Sequence, residues 1–290
     1  CLAVFVRNDG SPTLSFVGMC VGAVCNIFLD WLFIFPLNMG VVGAAIASGL
    51  GQIAALCVLL SHFIRRKCEL RFQATALDYQ LVGKICKRGV PEAVSQLTTP
   101  VTALCYNLML ASLIGDIDIS TFSVLSFIFS LANALLSGVA QGLQPLWGNC
   151  YGKRDTEEMN YFLRYGLIIN LVLAVLIYIL LFYFAEFVIR IFNQDADLVT
   201  TAAKALPLFS LSFIPMALNL VFTALMFSSK RTIQANAIAI SRGIIVKALA
   251  IFCMPILFSN QSIWLAPFAA EIFTLVLAVV LFKTTKLIYK

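Results

Sequence analysis

Long apolar stretches, separated by short polar breaks, run along almost the whole chain. A helix needs about 20 apolar residues to cross a membrane core of about 30 Å. The stretches of that length predict eight transmembrane helices, at 13–35, 41–64, 90–114, 119–144, 165–189, 198–227, 231–258 and 262–283. They are too long for the alternating strands of about ten residues that build a membrane barrel. The expected fold class is therefore an all-α polytopic membrane protein.

The charges in the breaks between these predicted helices alternate along the chain. Basic residues concentrate in the breaks at 65–89, 153–164 and 228–231, whereas the breaks at 115–118 and 193–197 carry aspartates. Cytoplasmic loops of membrane proteins are enriched in Lys and Arg. The alternation predicts a multi-pass protein of the cytoplasmic (plasma) membrane with both termini in the cytoplasm.

The break at 65–89 is the longest, and it mixes apolar with basic residues. This composition is typical of an amphipathic helix at the membrane surface. It divides the chain into two predicted helices at 1–64, a cytoplasmic linker at 65–89 and a six-helix unit at 90–290. A six-helix unit after an incomplete one indicates the duplicated plan that is common in transporters. Because the chain opens on Cys1 rather than Met, we interpret it as a fragment whose upstream part is missing.

Composition supports a lipid environment and argues against several other functions. Hydrophobic residues make up 61% and charged residues 12% of the chain, against roughly 45–50% and 25% in soluble domains. The net charge of +6 does not indicate a nucleic-acid partner, because the basic residues lie at helix ends. The nine cysteines form no C-x-x-C pair, so we expect neither a metal site nor a disulfide framework. The sequence contains no catalytic set and no phosphate-binding glycine loop, so we expect a protein that is not an enzyme and has no organic cofactor. We also expect it to be monomeric.

Charged residues inside predicted membrane helices are the first candidates for function, since each costs about 2.5–3.5 kcal/mol to insert. Asp30 lies one helical turn after Asn26, so the two face the same side. Ser48 on the next helix lies about 10 Å below the outer surface and Asp30 about 8 Å. Their oxygens suit Na⁺, or a proton on Asp30. The alternative is a buried aspartate that only hydrogen-bonds a neighbouring helix.

A second candidate set lies in the last two predicted helices. Arg242 and Glu271 are expected at about 16 and 18 Å from the inner face. Equal depth on consecutive helices predicts a buried ion pair, with a structural role or a role in a substrate or proton relay. Lys247 can join this network or extend outward to the interface. Glu92, at the start of a predicted helix, is interpreted as a helix-dipole partner, and His62 as an interfacial residue.

Four segments together resemble the multidrug and toxic compound extrusion (MATE) family. They are RNDGSP at 7–12 leading into NIFLDWLFIF at 26–35, then MGVVGAAIA at 39–47, GLQPLWGNCYG at 142–152, and Ser241-Arg242. The third looks like the loop after the family's eighth helix. The resemblance implies twelve helices in two lobes of six, of which this chain would hold helices five to twelve and lack the first four. It also implies exchange of Na⁺ or H⁺ for hydrophobic organic cations.

The resemblance assigns the same residues to cation coupling in the amino-terminal lobe. The family site uses an aspartate and an asparagine of helix five and a hydroxyl of helix six, which fall on Asp30, Asn26 and Ser48. A carboxylate that some members carry deep in helix seven has no counterpart here, since that region reads Thr98-Thr99. The alternative within the superfamily is a flippase for lipid-linked saccharides. Such flippases tend to carry several cationic residues in their cavities, and Arg242 and Lys247 of this chain leave that alternative open.

Overall fold

The regular elements of the described chain are all helices. The computed structural model describes residues 2–64, 78–113 and 116–284, without the side chains of 87–88, 90–99, 111–113, 116 and 244. In chain order the α-helices are α1 (Leu2–Asn8), α2 (Pro12–Ile34), α3 (Gly40–Ile64), α4 (Tyr79–Leu113), α5 (Asp116–Lys153), α6 (Thr156–Tyr183), α7 (Ala185–Phe192), α8 (Ala196–Ser210), α9 (Phe213–Ser228), α10 (Thr232–Ile240), α11 (Val246–Leu257) and α12 (Ala266–Thr284). A π-helical segment (Ser241–Ile245) joins α10 to α11, and a 3₁₀ segment (Asn260–Leu265) precedes α12.

The chain divides into two compact units, residues 1–78 and 79–290. In the first unit, α2 and α3 pack closely against each other, with α1 beside them. A Cβ atom at Gly22 would lie only 2.8 Å from the Cβ of Ala55, and one at Gly51 only 2.9 Å from the Cβ of Asn26. Glycines at these two positions therefore let the backbones of α2 and α3 approach, as in other membrane helix pairs.

In the second unit, α5, α6, α8 and α9 pack against one another, and α12 lies against α9 and α11. The largest fully buried side chains of this core include Leu125, Leu136, Leu206, Phe213 and Met216. Tyr106 on α4 stacks on Phe122 with a centroid distance of 4.3 Å, and its hydroxyl donates to the backbone oxygen of Ile263. Apolar packing and a few buried polar contacts thus fix the helices that carry Arg242 and Glu271.

The outer surfaces of these helices are apolar as well. On α2, Phe16 and Ile27 are 67% and 69% exposed, and Val41 on α3 is 87% exposed. A surface of this kind is suited to lipid rather than to water, and helices satisfy their own backbone there. Six helices of the described chain are long and apolar enough to cross a membrane, and a seventh crossing results if α8 and α9 form one broken span. The protein is therefore a multi-span membrane protein.

The eight predicted spans map onto these helices with several differences. The predicted span at 90–114 falls in α4, partly on residues whose side chains are not described, so the count of eight stays a prediction. α4 begins at Tyr79, inside the predicted linker at 65–89, and residues 65–77 of that linker lie outside the described chain. The segment 142–152, predicted as a loop, continues α5 to Lys153 despite Pro145. Trp147 in this segment is fully buried, so packing holds it in the helix.

The predicted span at 198–227 is two helices that meet at a bend of 41°. The break at Leu211 and Ser212 has a direct cause in Pro215, because proline cannot donate to the carbonyl four residues earlier and clashes with it. The predicted span at 165–189 likewise ends early, at Tyr183, and α7 follows separately. The helix bounds thus differ from the prediction at these two places, although α6 is long enough to cross a membrane and α8 and α9 together qualify as one broken span.

Candidate functional site

In the first unit, two of the three predicted coupling residues are in contact. Asn26 on α2 donates through Nδ2 to Oγ of Ser48 on α3, over 3.3 Å. The contact sits where Gly51 lets the two helices approach, since a Cβ at Gly51 would collide with Asn26. The side chain of Ser48 is exposed and that of Asn26 half-buried, so the pair lies at the edge of the α2–α3 contact.

Asp30 lies one turn further along α2 and is half-buried. Its Oδ1 atom is buried and has no hydrogen-bond partner among the described residues. A buried carboxylate oxygen without a donor is costly, which makes it a candidate to bind a cation or a proton. The alternative interpretation, in which Asp30 hydrogen-bonds a neighbouring helix, has no support among the described contacts of the first unit.

In the second unit, Arg242 and Glu271 lie next to each other. Nε of Arg242 donates to Oε1 of Glu271 over 3.0 Å, and the side chains are 17% and 1% exposed. Nδ2 of Asn219 on α9 donates to Oε2 of Glu271 over 2.8 Å and to the backbone oxygen of Glu271 over 2.9 Å. The carboxylate is thus held by donors from two other helical segments, which offsets its lost hydration.

Asn219 was missed by sequence reasoning. It is fully buried in α9, and its position in an otherwise apolar stretch is the signal that marks it. Amides lower the hydropathy of a span much less than charges do, so a search for buried charges passes over them.

The backbone around Arg242 departs from an α-helix. Residues Ser241–Ile245 form a π-helical turn, in which the N–H of Val246 donates to the carbonyl of Ser241. Such turns are rare and occur often at functional sites. Lys247 follows directly on α11 and is only 5% exposed, so it does not extend outward to the interface as one alternative allowed.

His62 makes a contact that was not predicted. It is 5% exposed, and its Nε2 lies 2.8 Å from Oδ2 of Asp9, whose side chain is 4% exposed. Its interfacial depth, near the end of α3, stays a prediction. Asp9 belongs to the polar turn between α1 and α2, so the contact ties that turn to the end of α3. No local pattern predicts this contact, because the two residues are 53 positions apart.

The predicted residues of α4 lie outside this description. The side chains of Glu92, Thr98 and Thr99 are not described, so the structure says nothing of their contacts.

Each unit thus carries polar side chains within mainly apolar helices: Asn26, Asp30 and Ser48 in the first, and Asn219, Arg242 and Glu271 in the second. A family model, MatE, matches residues 91–252, which is more than half of the chain. The chain belongs to the MATE family. This agrees with the resemblance found in the sequence motifs.

Curated relatives of this MATE family chain include multidrug export proteins named MepA. The protein from Staphylococcus saprophyticus is 24% identical over 265 residues, which cover 91% of this chain and 57% of the relative. The protein from Staphylococcus haemolyticus is 24% identical with the same coverage. The chain therefore spans a little over half the length of the curated relatives it matches.

Solved structures of MATE family proteins share the fold. An outward-facing multidrug resistance MATE transporter of the MOP superfamily superposes with a TM-score of 0.88 at 18% identity, covering 96% of this chain and 63% of that one. A MOP superfamily transporter from Pyrococcus furiosus, described as having a binding pocket of reversed polarity, gives a TM-score of 0.87 at 18% identity, covering 96% and 64%. At this identity the similarity concerns the fold alone.

Proposed function

We propose that this protein exports hydrophobic organic cations across the cytoplasmic membrane in exchange for Na⁺ or H⁺. Membership of the MATE family and the similarity to MepA multidrug export proteins support export of drugs. These relatives favour the exporter over the saccharide flippase. In this proposal residues 1–64 supply the last two helices of the amino-terminal lobe, 65–89 a cytoplasmic interlobe linker and 90–290 the carboxy-terminal lobe, with both termini in the cytoplasm.

The observation that carries the proposal is the buried Oδ1 of Asp30, which has no hydrogen-bond partner in the described part of the chain. One turn away, Asn26 and Ser48 present an amide and a hydroxyl at the same helix contact. Oxygen atoms of these types are the ligands that hard cations prefer. An ionised carboxylate inside the membrane has lost its hydration, which is unfavourable. Binding of Na⁺ or a proton neutralises the charge and is therefore favoured. Asp30 is thus the proposed coupling residue, with Asn26 and Ser48 as supporting ligands.

The test is ethidium accumulation in bacteria that lack their own drug exporters and express the protein from its native gene. Cells with the wild-type protein should accumulate less ethidium than cells with an empty vector. Asp30→Asn should raise accumulation to the empty-vector level, because an amide can neither release a proton nor neutralise Na⁺. Asn26→Ala and Ser48→Ala should keep export but shift the Na⁺ or H⁺ concentration that gives half-maximal rate.

Asp197→Asn is the matched control, since Asp197 is exposed at the start of α8. It should export like the wild-type protein. Varying Na⁺ at fixed pH, and pH without Na⁺, identifies the coupling ion. The site assignment is wrong if Asp30→Asn retains both wild-type export and wild-type ion dependence.

A further inference from the structure

Lys247 is a buried cation that the proposed coupling chemistry does not use. Its side chain is 5% exposed, and it forms no hydrogen bond with another described residue. Its Nζ atom lies 5.0 Å from the ring centroid of Phe129 on α5. An ammonium group is strongly hydrated in water, so its burial against a ring rather than against an acceptor calls for a physical explanation.

The nearby carboxylate of Glu271 offsets this burial only in part, because no hydrogen bond or ion pair joins it to Lys247 among the described residues. Both oxygens of Glu271 already accept hydrogen bonds, one from Arg242 and one from Asn219. Glu271 attracts the Lys247 charge while Arg242 repels it, so the two effects oppose each other. Among the described residues, the group in contact with the ammonium is the face of Phe129, which carries the negative side of the ring quadrupole.

Phe129 belongs to a group of three aromatic rings from three helices. Its centroid lies 6.2 Å from that of Phe209 on α8 and 6.1 Å from that of Phe213 on α9. Phe209 and Phe213 are buried, and Phe129 is half-buried. A cation held on aromatic rings in apolar surroundings is the arrangement by which proteins bind organic ammonium ions.

We propose that Lys247 is a tethered competitor that holds, on the ring of Phe129, the position that the cationic centre of a substrate takes. This inference rests on the proposed function, because it concerns how the exporter selects hydrophobic cations. A group attached to the protein competes at a high effective concentration. An organic cation is weakly hydrated and gains more from the ring than an ammonium does. Lys247 thus lowers the affinity of every singly charged cation for this position. Only the cations with the largest apolar surface bind strongly enough to displace it.

The experiment measures equilibrium binding of ethidium to the purified full chain by fluorescence anisotropy, with excess tetraphenylphosphonium to define specific binding. Lys247→Met removes the charge and keeps the length of the side chain, and it should bind ethidium about tenfold more tightly. Lys247→Arg keeps the charge and should bind like the wild type or more weakly. Phe129→Leu placed in the Lys247→Met protein should remove most of the gain, because the ring is then absent.

Two exposed residues supply matched controls, Lys204→Met on α8 and Phe187→Leu on α7, and neither should change ethidium binding. A melting curve of each variant shows that it is folded. If the Phe129 variant fails to fold, Lys247→Met and Lys247→Arg still show whether the charge of Lys247 weakens ethidium binding. The two variants differ in charge, whereas both change the packing of the side chain.

The outcomes separate this inference from the proposed function. If the wild-type protein exports ethidium but Lys247→Met binds it no more tightly, only the inference is overturned. The same holds if Lys247→Arg gains as much affinity as Lys247→Met, because charge is then not the cause. If neither wild-type cells nor the purified variants show any export or binding of ethidium, the proposed function fails and the inference fails with it.

Discussion

Asn219 and Glu271 are joined by two hydrogen bonds from a single amide group. Nδ2 of Asn219 lies 2.8 Å from the carboxylate Oε2 and 2.9 Å from the backbone oxygen of Glu271. The amide therefore fixes both the side chain and the backbone of α12 against α9. Arg242 meets the other carboxylate oxygen from the π-helical segment, so three helical segments converge on one acid.

This convergence predicts the energetics of the Arg242–Glu271 pair. Arg242→Gln or Glu271→Gln should each lower the free energy of unfolding by about 3–5 kcal/mol, because each leaves a buried charge without its partner. The double variant should lose clearly less than the sum of the single losses. Unfolding in detergent micelles with increasing denaturant measures all three.

The matched control is the pair Glu186 and Arg190, which are exposed on α7. Their Gln variants should change the free energy of unfolding by less than about 1 kcal/mol. Additive losses at Arg242 and Glu271 would show that the two charges are not coupled.

The close approach of α2 and α3 predicts opposite effects of alanine at two neighbouring glycines. Gly51→Ala should lower the free energy of unfolding by about 1–3 kcal/mol, because the new Cβ would lie 2.9 Å from Asn26 Cβ and from the Gly22 backbone oxygen. Gly49→Ala meets nothing within 4 Å and should raise it by about 0.5–1 kcal/mol, through helix propensity. Equal effects would mean that the two helices do not pack this tightly.

The contact between His62 and Asp9 predicts a third effect, in the first unit. His62→Leu should destabilise the protein by about 3–5 kcal/mol, since it leaves the Asp9 carboxylate buried without its partner. His62→Gln can still donate a hydrogen bond and should lose less. Combining His62→Leu with Asp9→Asn should recover part of the loss, because no bare charge remains.

Limited proteolysis at the turn between α1 and α2 gives a local measurement of the same contact. Faster cleavage is expected in His62→Leu than in the wild type. If cleavage rate and melting temperature both match the wild type, then His62 does not hold the turn.

Depth along a helix predicted one contact directly and came within one helical turn of another. Counting 1.5 Å per residue placed Arg242 level with Glu271, and the two form a hydrogen bond. The same counting placed Asp30 level with Ser48, whereas Ser48 accepts its hydrogen bond from Asn26, one turn away from Asp30. What this counting cannot supply is the rotation of each helix about its axis. Asp30 lies one turn from Asn26, but its Oδ1 accepts no hydrogen bond from Asn26, Ser48 or any other described residue.

The missed features arise from tertiary structure. His62 and Asp9 meet because α2 and α3 turn back on each other, and no local pattern at either residue signals that. The early end of α6 has no proline to mark it. The bend after α8 is explained by Pro215, but a proline in a sequence does not by itself show whether the helix bends there. Hydropathy measures how long a segment stays apolar, and bends leave that length unchanged.

The π-helical turn at Ser241–Ile245 changes the rotation of α11 about the helix axis relative to α10. It takes up one residue more per turn than the helices on either side. Each residue added to or removed from an α-helix rotates everything beyond it by about 100°. Deleting one residue from this turn would therefore swing α11 round as a whole and carry Lys247 away from Phe129, while α10 kept its orientation. The extra residue in the π-helical turn therefore allows one membrane segment to place Arg242 against Glu271 and Lys247 against Phe129.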